Sequence, residues 1–382
     1  MTAVAFTGGG TGGHIYPGLA VAAELKKMLA GNCQTGFEYR LVWIGSSAGM
    51  DRSLVENAEI EFFGIPSGKL RRYFSLRNIA DFFKVICGFF AARKIFNKQK
   101  VKLLFSKGGF VSVPPCAAAA SLNIPVFTHE SDFSPGLATR INSRFISKKG
   151  RIFTAYEETA RFLKKESRDL VTVSGNPVRA GFRGADPAKG RAFLELAQDA
   201  RILLILGGSQ GAKEINELVR AALQETSPGL TEIFTVVHQT GPNLEWNVPA
   251  ALRYKPSPYF GEEMPHIMAA AEIVMGRSGA GIWEWAVLGK PMLLLPLRGS
   301  GTRGDQIENA RYFELAGAAQ VLSSPFGAGE NINAREFVLA VNDLAHDGDK
   351  RKAMSAASAK IGKKDGAKII ACAIAENIKE IG

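Results

Sequence analysis

Near its N-terminus the chain reads Thr7-Gly8-Gly9-Gly10-Thr11-Gly12-Gly13-His14, followed by Ile15-Tyr16-Pro17-Gly18-Leu19-Ala20. An apolar run at 3–6 precedes this stretch and a helix-like pattern at 19–29 follows it. A strand, a glycine turn and a helix N-terminus together make an anion site. The turn's N–H groups have no intrahelical partners, and the helix dipole adds partial positive charge. Glycine lets the backbone take positive φ and approach a ligand closely. Gly8, Gly10 and Gly13 satisfy the dinucleotide fingerprint, which also needs an acid at the end of the second strand for a ribose hydroxyl. The second strand-like run ends Trp43-Ile44-Gly45-Ser46-Ser47, and the nearby Glu38 stands at its beginning. An NAD or FAD site is therefore not expected, and another phosphate compound is.

Outward from this turn, short apolar runs alternate with helical patterns, the signature of parallel α/β sheets. Strands are expected at 3–6, 40–44, 61–65, 101–106, 125–129, 151–154 and 170–173. A loop-rich tract follows at 174–187. A second series then runs 201–206, 232–237, 252–254, 272–275, 291–295 and 320–322. It opens as the first does, with an apolar strand, the turn Gly207-Gly208-Ser209-Gln210-Gly211 and a helix from Ala212. A chain of 382 residues exceeds one ordinary core, so two domains are expected, at 1–177 and 178–364. The tail from about Asp349 reads as two helices, the last of which (about 365–382) would pack back on the first domain. Ligands of such sheets bind outside the carboxyl ends of the strands. Two facing domains would give a cleft.

Apolar content of 46% and charged content of 22% are those of a globular protein. The formal charge of +11, from 47 basic and 36 acidic residues, favours polyanionic partners, whether nucleic acid, phosphorylated substrates or anionic lipid headgroups; a basic surface kept for solubility is the plainer reading. Cys33, Cys87, Cys116 and Cys372 are far apart, with no C-x-x-C pair. Neither a zinc site nor a disulfide framework is suggested, which fits a reducing cytoplasm. No signal peptide is evident, and the apolar stretch 85–92 is far short of the roughly 20 residues of a membrane span.

Other turns carry chemistry. Ser106-Lys107-Gly108-Gly109-Phe110 also links a strand to a helix; with the first turn it would hold a diphosphate, Lys107 nearby, or else be an ordinary βα turn. His14 and His129 sit at strand-to-helix turns, where a neutral imidazole suits a general base. His129 is followed by Glu130-Ser131-Asp132, of which one residue would brace the loop and another face the ligand. His238, His266 and His346 lack such context and read as structural. Arg277-Ser278-Gly279-Ala280-Gly281-Ile282-Trp283-Glu284 is a glycine-rich turn into a helix, with Glu284 suited to both hydroxyls of a ribose or simply solvated. Arg303–Ala310 offers groups for sugar hydroxyls, or a helix start with Asp305 and Glu308 as a capping box. Phe82, Phe83, Ile86, Phe89 and Phe90 recur at helical spacing beside Arg71, Arg72, Lys84, Arg93, Lys94 and Lys98, which reads as a surface for an anionic membrane or as a core face. No nucleic-acid motif stands out.

These tracts together (8–22, 106–118, 128–142, 174–179, 206–216, 260–284 and 303–310) resemble the MurG family of peptidoglycan N-acetylglucosaminyltransferases, in order across nearly the whole chain. The resemblance implies a GT-B fold of two Rossmann-like parallel-sheet domains. It implies an inverting transfer of N-acetylglucosamine from UDP-N-acetylglucosamine to the 4-hydroxyl of the muramoyl sugar of undecaprenyl-linked lipid I, forming lipid II. It further implies no cofactor and no Asp-x-Asp metal, a peripheral place on the cytoplasmic face of the plasma membrane, and cell-wall synthesis proteins as further partners. Residue by residue, it implies His14 as the general base and Gly10, Gly108 and Gly109 for the acceptor diphosphate. For the donor it implies Thr11, Gly12, Gly13, Asp132, Arg179, Ser209, Gly261, Ala280, Glu284 and Gln306, and for the membrane Arg71, Arg72, Phe82, Phe83 and Phe89. Three departures stand out: Asp132 where the family has asparagine, a turn at 277–284 one residue short, and Asp305 in place of a glutamine found in some members. Rival readings are a UDP-N-acetylglucosamine 2-epimerase-like isomerase, a transferase with another glycolipid acceptor, and a non-catalytic binding protein.

Overall fold

The computed structural model describes residues 2–10, 12–31, 39–47, 51–68, 77–208, 210–225, 229–242, 253–299, 303–322 and 332–381. They form two compact units, residues 1–179 with 364–382, and residues 180–363.

In the first unit, the strands are β1 (Thr2–Thr7), β2 (Tyr39–Ser46), β3 (Glu61–Ile65), β4 (Val101–Ser106), β5 (Val126–Glu130), β6 (Arg151–Thr154) and β7 (Val171–Val173). They make one parallel sheet in the order β3-β2-β1-β4-β5-β6-β7. Alternate residues of a strand point to opposite faces, and here both faces are covered, so the strands read as unbroken apolar runs. Val4 and Phe6 pack with Val21 and Leu25 of the helix Gly12–Gly31, and with Ile370, Ile374 and Ile378 of the helix Gly366–Ile381. Ala3 and Ala5 face the other way, toward Ala92 and Phe96 of the helix Arg77–Gln99 and Ala118 and Ala119 of the helix Val113–Ser121. The expected helix at 19–29 begins earlier, at Gly12, so His14 lies in the helix's first turn rather than before it.

In the second unit, β8 (Ile202–Leu206), β9 (Thr235–Gln239), β10 (Tyr254–Ser257), β11 (Ile273–Gly276), β12 (Met292–Leu294) and β13 (Ala319–Val321) are ordered β10-β9-β8-β11-β12-β13, again all parallel. Leu203 and Ile205 pack against Ile215, Leu218 and Val219 of the helix Lys213–Ala222 and Phe337 and Val341 of the helix Ala334–His346.

Both sheets reverse direction at one point: the chain builds outward from β1 and β8, then returns to place β4 and β11 on their other side. Such a switch point leaves a crevice at the carboxyl ends of two adjacent strands.

Candidate functional site

In the first unit the crevice lies between β1 and β4, whose last residues, Thr7 and Ser106, stand side by side. The two glycine turns leave from these residues and press on each other. A side chain on Gly109 would stand 2.7 Å from the Gly9 carbonyl and 3.1 Å from His14 Cδ2; one on Gly108 would stand 4.0 Å from His14 Nδ1. Gly10, Gly108 and Gly109 have φ of 88°, 88° and 78°, a region L side chains rarely adopt. Thus Gly10, Gly108, Gly109 and His14, grouped from the sequence, do meet. Gly12 and Gly13 begin the helix that carries His14.

The backbone of this crevice is held from below. Trp43 Nε1 donates to the Gly8 carbonyl at 3.2 Å, and Gly10 N donates to Asp51 Oδ1 at 3.4 Å. Asp51 is buried, which pushes its carboxyl above the usual carboxylate range. Asn142 Nδ2 donates to Ser112 Oγ at 2.8 Å behind the second turn. The Lys107 side chain is buried (2% exposed). Burial lowers its pKa, opposed by the charges of Glu130 and Asp132.

The tract at 129–132 divides its labour. Glu130 is the brace: its Oε1 accepts from Ser131 N and Asp132 N at 2.9 and 3.1 Å, and its Oε2 from Gly136 N at 3.0 Å. Ser131 Oγ donates to Asn176 Oδ1 at 2.6 Å. His129 is fully buried and bonds the Gly175 carbonyl through Nε2 at 3.0 Å. Burial, and then the Lys107 charge, hold its pKa well below the ordinary value, so it is a neutral tether and not a solvent-facing base. Asp132 is half-buried beside it. The Arg179 guanidinium stands over the ring of Tyr16 on the helix Gly12–Gly31, 4.7 Å from its centre.

In the second unit the crevice lies between β8 and β11, where Leu206 and Gly276 are paired. The turn after β8 carries Gly208 and Gly211 at φ of 90° and 75°. The turn after β11 carries Ala280 and leads into the helix Ile282–Val287, with Glu284 in its first turn. Arg277 ties the two turns: it pairs with Glu214 of the helix Lys213–Ala222 and donates through Nη1 to the Leu295 carbonyl at 3.0 Å. Gln306 Oε1 accepts from Leu297 N at 3.0 Å, which leaves its Nε2 toward Gly279. Gly261 follows Phe260 in the loop after β10. The expected capping box at Asp305 and Glu308 is absent. The helix Asp305–Leu315 starts at Gly304, a left-handed N-cap, and Asp305 instead pairs with Arg303 at 2.8 Å. A capping box does form at Asn333 and Glu336.

The exposed aromatic face of the helix Arg77–Gln99 comprises Phe82 (57% exposed), Phe83 (61%) and Phe90 (63%), with Ile86 between them. Phe89, grouped with them from the sequence, is half-buried and packs on the sheet core. Thr11, Ser209, Arg71 and Arg72 lie outside the described residues. Among the described residues no helix is long and apolar enough to cross a membrane, and no group of three or more His, Cys, Asp or Glu is placed to hold a metal ion.

Sequence reasoning passed over Asp51, Gln239 and the Arg277–Glu214 pair. Each is a single polar residue whose partner lies far along the chain, a pattern without periodicity.

Two parallel sheets, each with a glycine turn at its switch point, are a GT-B architecture, and the family matches make the chain a glycosyltransferase of that type. Residues 4–151 match the glycosyltransferase family 28 N-terminal domain, and residues 202–370 match the family's C-terminal domain. A relative from Treponema denticola, named UDP-N-acetylglucosamine–N-acetylmuramyl-(pentapeptide) pyrophosphoryl-undecaprenol N-acetylglucosamine transferase, is 45% identical over 97% of this chain and 96% of its own. The crystal structure of Acinetobacter baumannii MurG superposes with a TM-score of 0.69 at 23% identity, covering 98% of this chain and 100% of that one. The UDP-N-acetylglucosamine 2-epimerase of Neisseria meningitidis shares the fold, with a TM-score of 0.67 at 17% identity over 98% of this chain and 100% of that one. The chain belongs to glycosyltransferase family 28 and, within it, to the MurG family of N-acetylglucosaminyltransferases.

Proposed function

We propose that this enzyme transfers N-acetylglucosamine from UDP-N-acetylglucosamine to the 4-hydroxyl of the muramoyl sugar of undecaprenyl-linked lipid I, with inversion, forming lipid II. The observation that carries the reading is the meeting of His14 with the glycine turns at the β1/β4 switch point: N–H groups suited to a diphosphate, beside an imidazole suited to a hydroxyl proton. The relatives' name supplies the sugars. His14 removes the proton of the 4-hydroxyl as that oxygen bonds to the anomeric carbon. The bond from that carbon to the β-phosphate oxygen breaks, and UDP leaves with the electron pair. The turn at 207–211 and the N-terminus of the helix Lys213–Ala222 offer N–H groups and a dipole to the departing diphosphate, with no metal or cofactor required. Glu284 takes the ribose hydroxyls and the Phe260–Gly261 backbone the uracil. Ala280 and Gln306 of the same unit complete the donor's contacts there.

The exposed Phe82, Phe83 and Phe90 rest on the anionic lipid surface that carries the acceptor, with Lys84, Lys94 and Lys98 on the same helix meeting its headgroups. The test is release of UDP from UDP-N-acetylglucosamine, with and without lipid I, with and without a chelator. Release that requires lipid I and survives the chelator is expected. Formation of the 2-epimer from the donor alone would give the chain to the epimerase reading instead, and turnover only on a diacylglycerol acceptor would change the acceptor.

A further inference from the structure

Gln239 is the last residue of β9, the strand between β8 and β10. Its side chain is buried (4% exposed) and its amide is spent in two directions. Nε2 donates to the Gly208 carbonyl at 3.1 Å, in the turn after β8. Oε1 accepts from Phe260 N at 2.9 Å, in the loop after β10. The orientation is fixed by chemistry, because a backbone N–H only donates and a carbonyl only accepts; a flipped amide would oppose both.

The segment that follows is tied to the same two places. A side chain on Gly211 would stand 2.1 Å from the Thr240 carbonyl, and one on Gly241 would stand 2.3 Å from the Gln210 carbonyl, so these backbones touch. Asn216 Nδ2 donates to the Thr240 carbonyl at 2.9 Å on the turn side. Thr240 N and Gly241 N donate to the Ser257 and Pro258 carbonyls at 2.9 and 3.1 Å on the loop side. Among the described residues, Gln239 is the one side chain in this stitching whose two ends reach the two loops themselves.

Resting on the reading of residues 180–363 as the UDP-sugar site, we infer that Gln239 is a positioning residue that fixes the spacing between the diphosphate turn and the uracil loop, so that a nucleoside diphosphate is bound as one unit. Two effects follow. The Gly208 carbonyl, an acceptor that would repel a phosphate, is bonded to Gln239 instead. Phe260 N is likewise occupied, so the nucleobase must use the Phe260 carbonyl and the Gly261 N–H. The Phe260 ring is itself seated by an edge contact with Phe193, at 6.4 Å between centroids.

Calorimetry with UDP and with uridine on the full chain tests this. Gln239→Met keeps the side-chain volume and removes both bonds; Gln239→Glu keeps the acceptor for Phe260 N and loses the donor. Gln239→Met raises the Kd for UDP about tenfold or more, because the turn and the loop are no longer preorganised at the nucleotide's spacing, and raises the donor KM equally while kcat stays within about threefold. Its Kd for uridine, which engages only one of the two places, changes by less than about threefold. Gln239→Glu weakens UDP in the same sense and leaves uridine nearer the parent value. A purely structural glutamine would lower the Tm and the active fraction without moving Kd or KM. A UDP Kd within about twofold of the parent in Gln239→Met, or in Gln239→Glu should the first variant not fold, overturns the inference. A parent chain that does not bind UDP at all overturns the donor-site reading itself, a distinguishable result.

Discussion

The guanidinium carbon of Arg179 stands over the Tyr16 ring, 4.7 Å from its centre. Arg179 ends the Gly175-Asn176-Pro177-Val178 tract, and Tyr16 stands two residues beyond His14 on the helix Gly12–Gly31. The contact therefore joins a residue expected to meet the donor to the helix that carries the expected base. Removing either partner should disturb the other's position. Arg179→Ala and Tyr16→Leu are expected to be non-additive in kcat/KM, with a coupling of about 1 kcal/mol in a double-mutant cycle. Additive losses would mean that Arg179 acts without Tyr16.

His14→Ala should lower kcat by roughly 10²–10⁴-fold, the usual contribution of a positioned general base. Calorimetry should find the donor Kd changed by less than about threefold, since the imidazole serves the acceptor hydroxyl. A weakened Kd with unaltered kcat at saturation would remove His14 from the role of base.

Phe82→Ser, Phe83→Ser and Phe90→Ser, combined, should reduce sedimentation with anionic vesicles by at least about tenfold, because each exposed ring loses apolar area to bury. Phe89→Ser should behave differently, lowering the Tm through the sheet core while vesicle binding by the folded fraction persists. Equal vesicle binding by the triple variant and the parent would remove this face from the membrane.

His238 is buried, shares a 2.9 Å hydrogen bond with Tyr254 Oη, and has its pKa pushed down to about 4 by burial. The imidazole stays neutral in the fold, whereas an unfolded histidine takes up a proton near pH 6.5. Between those values the unfolded chain holds more protons, so stability falls as pH falls from about 6.5 toward 4. This one group should cost about 2 kcal/mol between pH 7.5 and 5 in urea titrations, and His238→Leu should lack that increment. Parallel pH curves for parent and variant would contradict the assignment.

The fold was largely legible because strands covered on both faces read as continuous apolar runs. Ile202-Leu203-Leu204-Ile205-Leu206 is such a run, and every one of its residues is buried. All of the expected strands form, β3, β4 and β6 with the expected bounds and the others with shifted ends. The larger shifts are at β10, which ends at Ser257 and not at 254, and at β9, where Leu230 and Ile233 belong to a short helix, so the strand begins at Thr235 and not at 232. The glycine turns were legible because positive φ selects glycine. What supports them was not. Asp51 lies under Gly9, 42 positions away in sequence, where a side chain on Gly9 would meet its Oδ2 at 2.1 Å. Asp305 misled because its neighbour Arg303 competes for the carboxylate that a capping box would use.

The helix Gly366–Ile381 supplies Ile370, Ala371, Ile374 and Ile378 to the core of the unit that begins at residue 1. On the ribosome that core stays open until residues 366–381 have emerged, although its sheet is complete by Val173. Residues 180–363 have both ends inside the chain and can close first. Synthesis and completion therefore run in different orders, and a nascent chain stalled anywhere between residues 180 and 366 exposes the apolar floor beneath β1 that residues 366–381 cover.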